Sequence, residues 1–267
     1  MCVCRLVLTW TFVTGEKTLG VMARLRYGEL AMNRILKRIF DMLHAIAHKR
    51  KWVSNLDRPL TPDSDMFESY IDYSNHNYHH AGTFWMKRTT QKFPLDAWIY
   101  QEILAEIEPD VIVEIGNFQG GGTLFLANML DLIHKGRIIA IDIDQSKIDF
   151  THPRITWITG DANSPDVLMK VKSRVKPDEK VIVIEDSSHT YENTLSVLRN
   201  YAKLVSVGSY FIVEDGIIRY PFVEGPKPGP YEATHQFLAE NSDFAIDKKR
   251  EKFRLTYNPD GYLLRVK

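Results

Sequence analysis

The chain has 267 residues, 44% hydrophobic and 25% charged, enough to bury a full core in one domain with an appendage. Its 34 Lys and Arg balance 34 Asp and Glu, so no overall positive field draws nucleic acid or an anionic membrane. Cys2 and Cys4, the only cysteines, supply neither a four-ligand zinc site nor a disulfide framework.

The first fifteen residues are apolar but broken by Arg5, and they lack the basic start, long apolar core and cleavage site of a secretory leader. No stretch reaches the roughly 18 apolar residues of a membrane span, so a cytoplasmic protein is expected. Residues 27–50 carry Leu30, Ile35, Ile39, Leu43 and Ile46 at helical spacing, a face suited to packing on the main domain or on a second copy in a homo-oligomer. Residues 57–80 are rich in Asp, Pro, Ser, Asn and His, which favours a loop or short helices able to act as a lid. His76, His79 and His80 within it lack metal-ligand spacing. Residues 1–90 therefore read as a helical, lid and oligomerisation region, and residues 91–267 as the main domain.

Pro94 opens a helix that runs through Leu104 and stops before Pro109. From there strands at 111–115, 137–142, 155–158, 181–185 and 209–214 alternate with helices at 121–132, 164–175 and 190–204. Near-continuous apolar strands in that rhythm predict an open α/β fold whose mainly parallel sheet is covered on both faces. A helix is expected from Pro230 to Leu238. Phe253–Tyr257 and Tyr262–Val266, separated by Asn258-Pro259-Asp260-Gly261, read as a carboxyl-terminal antiparallel hairpin at the sheet edge.

The chemistry-bearing residues fall at strand ends. Glu114-Ile115-Gly116-Asn117-Phe118-Gln119-Gly120 occupies the first strand-to-helix turn, where Gly116 and Gly120 permit a tight loop close to a nucleoside. Glu114 can orient that loop, or it can be a buried strand-end hydrogen-bond partner. Asp142 ends the next strand and can accept both hydroxyls of a ribose. Asp161, after Gly160, can accept an adenine amino hydrogen. Asp186 ends a fourth strand and Glu214-Asp215 a fifth, so these three carboxylates can converge on one hard divalent cation, preferring Mg²⁺ to thiophilic metals. Read locally, they can equally cap helices or form ion pairs. His189, three residues past Asp186, suits proton acceptance near neutral pH, though its local pattern also fits a helix cap.

Taken together, these motifs resemble the cephalosporin-hydroxylase-type family of class I methyltransferases over residues 90–267. Their spacing is also similar to that of macrolide deoxysugar O-methyltransferases such as the mycinamicin enzyme. The resemblance implies a Rossmann-like class I fold and a bound S-adenosyl-L-methionine held by Glu114, Gly116, Gly120, Asp142 and Asp161. It further implies Mg²⁺ on Asp186, Glu214 and Asp215, with His189 as base. The expected reaction moves a methyl group to a hydroxyl of a small natural product, such as a sugar on a polyketide or antibiotic. An NAD-dependent oxidoreductase is the enzymatic alternative, but the loop departs from Gly-x-Gly-x-x-Gly. A non-catalytic nucleoside- or sugar-binding protein explains a pocket but not acids divided between two strands beside a histidine.

Overall fold

The computed structural model describes residues 9–14, 17–22, 68–71 and 83–267. The chain divides into two units, Met1–Thr61 and Pro62–Lys267. In the first, β1 (Thr9–Thr14) pairs antiparallel with β2 (Lys17–Met22), from Thr9 opposite Met22 to Thr14 opposite Lys17. This hairpin goes beyond the elements read from the sequence, and the β-branched and aromatic run Thr-Trp-Thr-Phe-Val-Thr suits it. The helix expected at 27–50, the histidines at 76, 79 and 80, and all of the lid segment except residues 68–71 lie outside the described residues.

The second unit begins upstream of position 91. Helical residues 68–71 bring Ile71 into a buried cluster with Phe93, Ile217, Ile218, Val223 and Tyr257. A short antiparallel pair follows, β3 (Phe84–Trp85) and β4 (Arg88–Thr89). The main elements are then α1 (Pro94–Ile107), β5 (Val111–Ile115), α2 (Gly121–Ile133), β6 (Arg137–Asp142) and β7 (Ile155–Thr159). They continue with α3 (Pro165–Lys172), β8 (Val181–Glu185), α4 (Tyr191–Tyr201) and β9 (Tyr210–Val213). The chain closes with α5 (Pro230–Glu240), β10 (Phe244–Ile246) and β11 (Tyr262–Arg265).

Seven strands form one sheet in the order β10-β11-β9-β8-β5-β6-β7. Pairing is parallel from β7 through β6, β5 and β8 to β9, and antiparallel between β9, β11 and β10. Successive side chains of a strand point to opposite faces, so each strand feeds two cores. Val111, Val113, Ile115, Val181 and Val183 meet α3, α4 and α5 on one side. Ile112, Ile138, Ile182, Ile184 and Ile212 meet α1 and α2 on the other. Every residue of β5 and β8 is buried, which is why these strands read as near-continuous apolar runs, interrupted only by Glu114 and Glu185 toward the carboxyl end.

The carboxyl-terminal antiparallel pair is present, but its first strand is Phe244–Ile246, not residues 253–257. The polar groups of 256–257 are already engaged. The Thr256 hydroxyl and the Tyr257 N–H donate to the buried Asp96 carboxylate of α1 at 2.5 and 2.7 Å, and the Tyr257 carbonyl accepts from Ile217 N. The backbone N–H and carbonyl of Tyr257, spent in this way, are not free for a strand ladder.

The order of connections places the site. From β5 the chain runs outward to β6 and β7, then crosses back to β8 on the other side of β5. The carboxyl ends of β5 and β8 therefore flank the switch point where open α/β sheets open a crevice.

Candidate functional site

Gly116 follows β5 with φ +90°, a conformation that disfavours any residue with a Cβ. A Cβ there would lie 1.9 Å from the carbonyl oxygen of Asp186. A close approach that demands glycine is thus made to the end of β8. The Asp186 N–H donating to Ile115 O at 2.8 Å keeps the two strand ends together. Gly120, at φ +77°, sits under the Phe150 ring, 2.9 Å from a would-be Cβ. Asp142 stitches the loop: one carboxylate oxygen accepts the N–H of Asn117 at 2.6 Å and of Phe118 at 2.9 Å, and the other accepts that of Asp144 at 3.1 Å. A carboxylate has about four acceptor positions, so the same group keeps capacity for hydroxyl donors.

Glu114 is buried and accepts from the Asn117 amide at 3.1 Å. Burial raises its carboxyl to about 7, against the pull of the nearby Lys92 ammonium. Asp161 is exposed at the cavity edge, where its side chain accepts from Asn163 N at 2.8 Å. Glu185 points away from Asp186, toward Ser187 and Asn193, whose polar groups lie 2.6 and 3.3 Å from its Oε1. Its Oε2 is buried without a partner among the described residues, and burial lifts this carboxyl to about 7 as well.

At the ends of β8 and β9, Asp186, His189 and Asp215 each offer one ligand atom, and these atoms lie within 4.8 Å of one another. His189 Nδ1 is 3.4 Å from Asp215 Oδ2. His189 and Asp215 both adopt φ +57°, so each turns out of its strand-to-helix path to bring its side chain round. Two carboxylates and an imidazole suit a hard or borderline divalent cation.

Glu214 falls outside that trio. It is 7% exposed, and its Oε1 accepts from the Tyr100 hydroxyl at 2.6 Å and from the Lys92 ammonium. Lys92 also donates to Asp186 Oδ2 at 2.6 Å. Of the three acids expected around one ion, Asp186, Glu214 and Asp215 all stand at this rim, and the close grouping of side chains is Asp186, His189 and Asp215.

The electrostatics of this rim are lopsided. Burial raises the carboxyls of Asp186, Glu214 and Asp215 above the usual range, with mutual repulsion adding to it. Burial alone would lower the imidazole of His189, but the charges of Asp215, Asp186, Glu185 and Glu214 raise it instead. Burial would likewise lower Lys92, and Asp186, Glu214 and Glu114 together hold its ammonium above the ordinary value.

Lys92, Glu114, Asp186, His189 and Asp215 line one cavity of about 810 Å³, a volume in the range of small-molecule sites. It runs from Gly116–Phe118 and Asp142–Asp144, past Gly160–Ala162, to Asp186–His189 and Asp215. Ile217, Ile218, Phe222, Val223 and Tyr257 form an apolar wall at that acidic end. Trp85 turns away from it, with its indole N–H on Asn128 at 2.8 Å, while Phe84 and Trp98 face solvent. Among the described residues, the apolar side of the cavity is drawn from 217–223 and 257.

Residues 77–266 match the family Rhamnosyl O-methyltransferase/CmcI. A rhamnosyl O-methyltransferase of Mycobacterium leprae is 31% identical over 214 residues, 76% of this chain and 92% of the relative. One from Mycobacterium tuberculosis H37Rv is 30% identical over 204 residues, 71% of this chain and 83% of the relative. The chain belongs to this family. A solved structure of CmcI with Mg and SAM shares the fold at TM-score 0.55 and 22% identity, covering 79% of this chain and 88% of that one. A ligand-free CmcI structure gives TM-score 0.56 at 23% identity, over 69% and 76% of the two chains.

As a family member the protein is an S-adenosylmethionine-dependent O-methyltransferase with a class I fold. Among its site residues, Lys92, Tyr100 and the 217–223 wall go beyond what sequence reasoning found. Lys92 and Tyr100 reach Glu214 from 122 and 114 residues away in the chain. The one local signal is a lysine immediately before the buried Phe93 at the start of α1, where burial of its neighbour draws it inward.

Proposed function

We propose that this methyltransferase transfers the methyl of S-adenosylmethionine to a hydroxyl of a sugar carried on a small, partly apolar metabolite, with Mg²⁺ bound at the acidic end of the cavity. The observation that carries this reading is the meeting of Asp186, His189 and Asp215 in the cavity that also contains the Gly116–Phe118 loop and Asp142. The polar floor at Ser187–His189 suits a hydroxylated ring and the apolar wall at Ile217–Val223 suits its aglycone. The relatives' names point to rhamnosyl acceptors.

S-adenosylmethionine already carries a sulfonium leaving group, so the chain's main task is to align an acceptor oxygen with the methyl–sulfur bond. In our reading Glu114, Gly116, Gly120, Asp142 and Asp161 form the donor's berth. Asp186 and Asp215 hold the cation, which when bound supplies Lewis-acid stabilisation of charge on the acceptor oxygen. His189 takes the hydroxyl proton as the oxygen–methyl bond forms and the carbon–sulfur pair passes to sulfur. A second reading rests on the same 4.8 Å grouping: His189 is a third ligand to the cation and the proton leaves by another route. The same proposal takes the protein to act in the cytoplasm as a homo-oligomer, without nucleic acid or membrane partners.

Incubating the protein with methyl-labelled S-adenosylmethionine and a panel of rhamnosides, with Mg²⁺ or with chelator, tests the proposal. Label is expected on the sugar of a glycoside only when Mg²⁺ is present. Full transfer in chelator, or hydride transfer in place of methyl transfer, would refute it.

A further inference from the structure

Lys92 is a buried charge of the acidic rim that no step above uses. Its side chain is 8% exposed and lies between two strand ends, bonded to Asp186 of β8 and Glu214 of β9. Glu114 of β5 is the third carboxylate that acts on it. The placement is built from three elements. Phe93, the next residue, stacks on Tyr257 at 4.5 Å and 9°, fixing the start of α1 against the cavity wall. Tyr100, further along the same helix, sets its ring 5.8 Å from the ammonium and its hydroxyl on Glu214. Gly122 of α2 leaves room for the lysine stem, since a Cβ there would come within 2.9 Å of Lys92 Cε.

We infer that Lys92 is a resident cation of this site, a positioning residue that keeps Asp186 and Glu214 gathered without metal and sets how tightly the divalent ion is held. The inference rests on the metal reading above. Among the described residues, Glu114, Glu185, Asp186, Glu214 and Asp215 crowd this rim. The cationic groups facing them are Lys92 and, when protonated, His189. With the ammonium fixed between two of the acids, the strand ends need no added ion to remain together. The same charge repels a dication at the neighbouring oxygens, so it weakens metal binding and keeps the ion exchangeable. Even under water-like screening, a unit charge a few ångströms from a dication changes affinity by about tenfold or more. Lysine fits this task better than a second metal would, because its stem is packed and its charge cannot dissociate.

The test uses the full-length protein with Lys92→Met, which keeps the stem and removes the charge, and Lys92→Arg, which keeps the charge. Thermal unfolding is followed in chelator and in Mg²⁺, and Mg²⁺ alone is titrated calorimetrically. The Met variant is expected to melt lower than wild type in chelator, to recover when Mg²⁺ is added, and to bind Mg²⁺ about tenfold more tightly. Lys92→Arg is expected to stay near wild type, and S-adenosylmethionine affinity to change less than about threefold. A lysine that merely packs would destabilise when replaced without tightening metal binding. Unchanged or weaker Mg²⁺ affinity in the Met variant therefore overturns the inference.

If Lys92→Met does not fold even in Mg²⁺, the double variant Lys92→Met/Glu214→Gln removes the charge pair together. It is expected to fold in chelator, and failure to do so also overturns the inference. Absence of Mg²⁺ binding by the wild-type protein would refute the metal reading and the affinity half of this one. The melting comparison of Met and Arg variants in chelator would still decide whether the ammonium gathers the strand ends.

Discussion

The two rims of the same parallel sheet are built on opposite principles. At the amino rim, before β5, β6 and β8, acids are paired as they emerge. Arg137 grips Glu179 through two bonds of 2.7 and 2.9 Å, and Glu179 also accepts Lys176 N at 2.8 Å. These bonds bring its carboxyl down to about 2. Asp110 is likewise lowered, chiefly by the Lys180 N–H. At the carboxyl rim buried acids outnumber their partners among the described residues, and burial raises Glu114, Glu185, Asp186, Glu214 and Asp215. One end of the sheet is finished by its own ion pairs. The other holds back charge for a ligand, which is the usual cost of a functional site in an otherwise consistent fold.

Amide substitutions at the two rims should sharpen that contrast. Asp186→Asn at the carboxyl rim is expected to lower methyl transfer by about a hundredfold or more, the scale lost when a group stabilising developing charge is removed. S-adenosylmethionine affinity should change little, and calorimetric titration of donor and Mg²⁺ beside product formation checks that separation. Turnover at the wild-type rate would remove Asp186 from the metal site.

His189→Ala is expected to slow single-turnover methyl transfer by about a hundredfold or more while Mg²⁺ affinity holds, as for a general base. Loss of Mg²⁺ affinity on the scale of an Asp215→Ala variant would instead make His189 a ligand. Gly116→Ala forces φ +90° on a residue with a Cβ and drives that atom into the Asp186 carbonyl. A stability loss of about 1–3 kcal/mol or more is expected from the backbone alone, readable as a lower urea midpoint.

The smallest effect belongs to the amino rim. Because Glu179 is lowered from 4.5 to about 2 in the folded chain, its contribution is present above pH 4.5 and lost as pH falls toward 2. Glu179→Gln should flatten the acid limb of stability against pH in that window and leave methyl transfer at pH 7 unchanged. An equal fall in turnover at both rims would dissolve the distinction between them.

Much of this was legible in the sequence, and for a definite reason. Strands buried on both faces are apolar at nearly every position, so Val111–Ile115 and Val181–Glu185 stand out without any tertiary knowledge, each broken only by one glutamate near its carboxyl end. The residues just past them, Gly116, Asp142, Asp186 and Asp215, inherit their place at the rim from the parallel order of the sheet. That Glu214 and Asp215 part company was not readable. Adjacent in sequence, they diverge because Asp215 takes a left-handed turn while Glu214 is drawn to Tyr100 of α1 and to Lys92 just before that helix.

Sequence alone thus determined the α/β alternation, the glycine-bearing loop and the presence of acids at the strand ends, because each follows from local burial and chain direction. Tertiary structure alone decided which acids face one another, that a lysine 94 residues from Asp186 stands among them, and that β10 rather than residues 253–257 joins the sheet edge. Those outcomes depend on contacts between distant segments competing for the same hydrogen bonds and charges, and no periodicity along the chain records who wins.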